Sequence, residues 1–285
     1  MSWLLLTFIS VISRAIYGVM TKVLSNRVKV TSYTQSFILL MGGGLIALLI
    51  APLIGGYEVG FTNVNITAVV LVVLASALGN ILYFIAINSL TSSTAQITFS
   101  SILVFNTTLS VAFLDLTLSP LNILGVMLLM IAITSVVTGK IKLSFKGVSL
   151  MLLSALCFAI MQLASTVVSK EVSALSYLII SYFGVAVVVF IAKARLIVRE
   201  MRDAKDKVNL YGVPFITALP SVGNFLFAYY AYRLAPEPTK VAILLTSQVV
   251  LTVIISYFFL GERDHVLRKV FASVLVVLSA LLIRI

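Results

Sequence analysis

Ten apolar runs, at 3–24, 33–53, 66–90, 94–114, 120–138, 147–169, 175–192, 211–234, 238–260 and 266–283, limit what this chain can fold into more than any other feature. A helix needs roughly 20 mostly apolar residues to cross the hydrocarbon core of a bilayer. Barrel strands are shorter and alternate in polarity. Inside lipid every backbone N–H and C=O must be paired within the protein, so runs of this kind predict helices. Composition agrees. Of 285 residues, 61% are hydrophobic and 10% charged, against about 25% charged in soluble domains, and the mean hydropathy is +1.18. The sequence therefore predicts an all-α polytopic membrane protein with ten transmembrane helices, placed in the cell membrane. Its expected partners are the lipid bilayer and a small-molecule substrate, and it is expected to work as a monomer. The first run has no basic stretch ahead of its apolar core and carries Arg14 in its middle, so a retained helix is expected rather than a signal peptide.

The net charge of +11 does not form a nucleic-acid face. Lys and Arg sit in the gaps between runs, as membrane proteins place them, and no nucleic-acid partner is expected. The connections after runs one, three, five, seven and nine hold 15 of the 20 Lys and Arg, the opposite connections and ends hold 4, and Arg14 is the remaining one. The positive-inside rule puts the basic connections in the cytoplasm and both termini outside. The largest polar connection is 193–209, read as a loop. Cys157, the only cysteine, reads as a packing residue, and His265, the only histidine, falls in a charged turn. Metal sites want clustered His, Cys, Asp or Glu, and a serine nucleophile wants a base. The spans offer neither, so no cofactor, no metal and no enzyme is expected.

The two halves resemble each other. Gly79-Asn80-Ile81-Leu82-Tyr83 matches Gly223-Asn224-Phe225-Leu226-Phe227 at an offset of 144 residues (223 − 79). Phe113-Leu114-Asp115 parallels Phe259-Leu260-Gly261-Glu262 farther on. Five helices is an odd number, so tandem copies insert with opposite orientation. The expectation is two inverted five-helix repeats, 1–142 and 143–285, around a central cavity with the binding site between them.

All nine acidic residues fall in connections or at run ends. A proton-coupled exporter of cationic drugs wants a carboxylate deep in a span, so a neutral, zwitterionic or anionic substrate fits better. Arg14 sits near the middle of the first run, where an arginine costs about 2.5–3.5 kcal/mol on insertion scales. Thr7, Ser10, Tyr17, Gly18 and Thr21 share its helix face. A guanidinium binds carboxylate or phosphate by paired hydrogen bonds; the alternative is that Arg14 merely ties helices together. Ala155 stands opposite Arg14 in the second half, so this charge is not part of the repeated scaffold. Asn80 and Asn224 are equivalent amides, suited to a hydrated site or to helix–helix hydrogen bonding beside Gly79 and Gly223. Tyr83, Tyr229, Tyr230 and Tyr232 could wall a cavity or anchor at the interface. Gln162 heads a polar stripe with Ser165, Thr166 and Ser169. Gln96, Ser100 and Thr107 form another, and Gln248 stands alone in the ninth run. The candidate substrate-binding residues are Arg14, Tyr17, Asn80, Tyr83, Gln162, Asn224 and Tyr229. Pro214 and Pro220 are expected to bend the eighth helix.

Phe258-Phe259-Leu260-Gly261-Glu262-Arg263, followed by a closing apolar helix, resembles the Leu-Gly-Glu signature of EamA-type transporters in the drug/metabolite transporter superfamily. Phe113-Leu114-Asp115-Leu116, with Pro120 and Leu124-Gly125-Val126 after it, resembles a degraded first copy. Tyr17-Gly18 through Lys22 resembles the start of the family's first helix. The resemblance covers nearly the whole chain and implies a ten-helix basket with a central cavity. It also implies a secondary transporter of a small metabolite (amino acid, organic anion or sugar derivative) working by alternating access. The chain departs from the pattern in lacking prolines in helices four and nine and a glutamate in its first signature. A channel, receptor or scaffold without coupled transport is the alternative.

Overall fold

Most of the apolar runs fold as helices whose starts are set by small polar caps, as unpaired N–H groups at a helix start require. Ser2 accepts from Leu5 N, Asn65 from Ala68 N, Thr91 from Thr94 N, Ser144 from Gly147 N and Ser173 from Ser176 N. The structure, a computed structural model, describes residues 2–53, 65–114, 119–137, 144–236, 241 and 244–284. Glu58, Asp115, Leu116, Lys140, Lys142, Glu237, Pro238 and Lys240 lie outside the described residues, as do the side chains of Leu114, Thr166, Ser169, Lys170, Tyr232, Arg233 and Arg284.

The helices are α1 (Trp3–Arg27), α2 (Ser32–Ile50), α3 (Ile66–Ile87), α4 (Ser92–Phe99), α5 (Ile102–Leu114) and α6 (Pro120–Val137) in the first half. The second half has α7 (Phe145–Glu171), α8 (Ala174–Ile179), α9 (Val185–Asp203), α10 (Lys207–Leu234), α11 (Gln248–Phe259) and α12 (Val266–Arg284). Eight helical stretches are long and apolar enough to cross a membrane, and the shorter apolar helices Pro120–Val136 and Leu244–Phe259 stand in the places of the fifth and ninth spans. No strand occurs among the described residues. The fold is the ten-helix, all-α arrangement that the sequence predicts. Successive crossings put the basic connections around 28–31, 204–206 and 260–265, together with the uncharged connection 88–91, at one end of the bundle, here the basic end.

The halves interleave. Helix α1 packs on α10, α3 on α7 and α6 on α12, each pair joining one half to the other. Ser10 and Ser154, 144 residues apart, do equivalent work in two of these pairs. The Ser10 hydroxyl lies 2.9 Å from both the carbonyl oxygen and Oδ1 of Asn224, and the Ser154 hydroxyl donates to the carbonyl of Gly79 at 2.8 Å.

Three local features differ from the sequence reading. The fourth span is two helices, α4 and α5, broken at Ser100–Ser101, where the Ser100 hydroxyl turns back onto the Gln96 carbonyl at 2.9 Å. The ninth breaks at Ser247, whose hydroxyl donates to the Leu244 carbonyl at 2.6 Å. Serine hydroxyls bonded to their own backbone loosen a helix in this way. The polar stretch 193–209 is helical except for 204–206, because α9 continues to Asp203 beyond a kink at Lys193 and α10 starts at Lys207. Charged residues lowered its hydropathy without removing its helix-forming character. Helix α10 runs through Pro214 and Pro220 without a break in the helix.

Candidate functional site

Between the halves lies a cavity of about 710 Å³, within the range of small-molecule sites. Its walls come from the middle of α1, both helix breaks, the later half of α7, the α7–α8 turn and α10. Among the described residues that line it, Arg14 is the one that carries a charge. The lining extends from Arg14 to Val172, Ser173 and Ala174, at the end of the bundle opposite the basic connections.

Its polar groups are arranged in pairs. Asn106 Nδ2 donates to Gln162 Oε1 at 2.6 Å, and the Tyr177 hydroxyl donates to Ser165 Oγ at 2.6 Å. The Tyr177 ring stacks on Phe225, with centroids 5.3 Å apart and planes 26° from parallel. Asn224, held by Ser10, and Tyr229 complete the α10 wall. Gln248, 5% exposed, stands at the start of α11 in the wall, and its buried Oε1 has no hydrogen-bond partner among the described residues. One charged donor, several amides and hydroxyls and a stacked aromatic pair suit a small amphipathic solute carrying an acid group.

Of the candidates named from sequence, Arg14, Gln162, Asn224 and Tyr229 line this cavity. Tyr17, Asn80 and Tyr83 are not among the lining residues. Asn80 donates to the Ser76 carbonyl of its own helix at 2.9 Å. Beside it Gly79 allows close packing, since a Cβ there would meet Phe158 at 3.0 Å and Cys157 at 3.3 Å. Tyr83 sits closer to the basic end, 3.2 Å from Thr21 Oγ1, and accepts from Gln96 Nε2 at 2.8 Å. Tyr17, one turn beyond Arg14, lies against Ser221 and near Tyr83 and Tyr182.

Toward the basic end the molecule is closed. Gly261, at φ +66°, ends α11 and turns the chain so that Glu262 reaches the start of α4. Glu262 accepts from Ser92 N at 2.6 Å, from Ser93 N at 3.1 Å and from the Ser93 hydroxyl. A carboxylate on a helix N-terminus is stabilised by the free N–H groups and the helix dipole. Lys269 Nζ lies 3.7 Å from Glu262 Oε2, the two side chains being 2% and 8% exposed. Nearby, Ser92 Oγ donates to the Gly18 carbonyl at 3.1 Å and Lys22 Nζ to the Ile87 carbonyl at 2.7 Å. A second carboxylate, Glu200, accepts from Thr31 N at 3.1 Å, Thr31 Oγ1 at 2.9 Å and Thr34 Oγ1 at 2.6 Å, capping α2. Both clusters tie the first half to the second.

The model of the EamA-like transporter family matches the chain twice, over residues 1–138 and 145–285. The chain belongs to the EamA-like transporter family. It is thus a multi-pass membrane transporter of the drug/metabolite superfamily, and family members are transporters rather than enzymes. Thirteen solved chains match. In one crystal structure the similarity covers 97% of this chain and 95% of the other, with a TM-score of 0.56 at 13% identity, which supports the fold alone. No curated protein matches the sequence. Within this EamA-like chain, Asn106, Tyr177 and Phe225 were not singled out as site residues from sequence. The Gly79/Gly223 alignment includes Phe225 as the residue after Asn224, and that was the available signal for it. Asn106 adjoins Thr107 of the polar stripe with Gln96 and Ser100, which was the signal for it, and Tyr177 begins an apolar stretch that offers no such pointer.

Proposed function

We propose that this transporter is a secondary carrier of a small metabolite (an amino acid, an organic anion or a sugar derivative) working by alternating access. The observation that carries the reading is a cavity that reaches the end away from the basic connections, with Arg14 as the one cation among its described lining residues, while Glu262 ties α4 to the second half at the basic end. A substrate entering there would place its acid group on Arg14 and its apolar portion along Tyr177 and Phe225. Asn224, Tyr229 and the Asn106–Gln162 pair would take its remaining polar groups, and a ligand hydroxyl or amine would satisfy Gln248 after a small shift. Repeats 1–142 and 143–285 would then rock about the site, closing the α7–α8 end and parting Glu262 from α4. Tyr17 and Tyr83, nearer the basic end, would meet the substrate on its way through, and Asn80 would hold α3 beside them. With the basic end in the cytoplasm, as the charge count favours, the described state faces outward.

Purified protein in proteoliposomes tests this by counterflow. Vesicles preloaded with one unlabelled metabolite from a panel of amino acids, organic acids and sugar phosphates should accumulate the labelled compound transiently and saturably. Steady conductance without saturation or counterflow would instead make the chain a channel.

A further inference from the structure

The second half of α9 has the composition and placement of a lipid-binding surface. From Ala174 to Ala192 the seventh span is apolar, and its 19 residues rise about 28 Å, matching a hydrocarbon core of about 30 Å. Lys193 therefore falls at the boundary, and the helix kinks there, with φ −147° and ψ 38°. Its ammonium lies 5.9 Å from the centroid of the Tyr33 ring. Beyond the kink one helix face, with Ile197 fully buried and Met201 partly so, packs onto the main core cluster. The opposite side presents Arg195, Arg199 and Arg202, spaced by four and three residues and all exposed. Val198, 52% exposed, stands among these cations. A half-exposed aliphatic side chain between arginines fits the headgroup–acyl boundary better than open water.

We infer that this arginine stripe is a binding surface for anionic phospholipid headgroups, which holds α9 against α2 through Glu200 on the same turn. Clusters of Lys and Arg immediately beyond a spanning helix attract anionic lipid, and a guanidinium can take phosphate oxygens in pairs; Arg202, whose Nε donates to Asp203 Oδ1 at 2.9 Å, offers its two terminal nitrogens. Lys193 and Lys205 extend the same charge along the surface, whereas Lys207 is engaged with the Met201 and Arg202 carbonyls at the helix end.

The test uses the full chain in neutral mixed micelles, titrated with phosphatidylglycerol and followed by thermal unfolding. Wild type should gain stability with phosphatidylglycerol and not with phosphatidylcholine. R195Q/R199Q/R202Q should need roughly a hundredfold more of the anionic lipid for the same gain. R195K/R199K/R202K should retain most of the response, which shows that the positions tolerate change. R27Q/K146Q/R263Q, removing equal charge elsewhere at the basic end, should respond like wild type. An equal loss in the two glutamine triples would reduce the effect to diffuse charge and overturn the site. Stabilisation by soluble inorganic phosphate at the same concentration, or no response in wild type, would overturn it too. None of these readouts depends on transport.

Discussion

Replacing Glu262 by glutamine keeps its shape and removes its charge, at a contact that alternating access, as proposed above, would break when the basic end opens. In this state the carboxylate accepts two backbone N–H groups of α4 at 2.6 and 3.1 Å and sits 3.7 Å from Lys269 Nζ. Hydrogen bonds to a charged group contribute about 1.5–3 kcal/mol and neutral ones about 0.5–1.5. The amide therefore forfeits roughly 1–1.5 kcal/mol at the cap. Lys269, 2% exposed, is also left without its counter-ion, and removing one member of a buried pair costs about 3–5 kcal/mol. Even a combined loss of about 3 kcal/mol, confined to this state, moves the equilibrium about a hundredfold toward opening at the basic end. The assay is maleimide labelling of T21C in a C157A background, since Thr21 is fully buried between the cavity and the basic end. With reagent supplied at the basic end of reconstituted protein, E262Q should react roughly a hundredfold faster than its Glu262 parent. E262Q/K269M, which strands no cation, should fall between them. Unchanged labelling in properly folded E262Q would refute the idea that this contact closes the basic end.

Three further outcomes are expected. G79A should lower the melting temperature more than G223A, because an added Cβ meets Phe158 at 3.0 Å in the first case and nothing nearer than Ser13 at 3.6 Å in the second; overpacking costs about 1–3 kcal/mol. The backbone and side chain of Asn209 hold the Asp206 carboxyl below its ordinary pKa, so its contribution is present above the unfolded-state value and fades as pH falls through the lower folded one. The acid-side loss of thermal stability should accordingly be shallower in D206N than in wild type. Substituting Phe225 by leucine should weaken binding of substrates with a planar portion, measured by ligand-induced melting shifts, and leave small aliphatic acids nearly unaffected.

Much of the fold was legible because lipid imposes simple rules. Length and hydropathy marked the spans. The Gly79–Asn80 and Gly223–Asn224 pairs set the repeat offset that Ser10 and Ser154 follow in three dimensions. The site was less legible. A polar stripe at helical spacing reveals that a face avoids lipid, without revealing whether it meets a cavity or another helix. Arg14 and Tyr17 share one face of α1, yet the turn between them separates the cavity floor from the sealed end. Asn80 and Asn224 are equivalent in sequence and differ in surroundings because the cavity is lined by the α10 copy, while Asn80 bonds within its own helix. Hydropathy also hid the tail of α9, where three arginines on one face mask a helix that buries Ile197 on the other.

Arg14 carries the substrate reading. The direct measurement is equilibrium binding to purified wild type and R14Q of one acid identified by counterflow, beside its uncharged amide. Loss of a charge-assisted contact should weaken the acid by roughly ten- to a hundredfold and leave the amide within a factor of about two. Equal affinity of the acid for wild type and R14Q would contradict the assignment of this cavity as an acid-binding transport site.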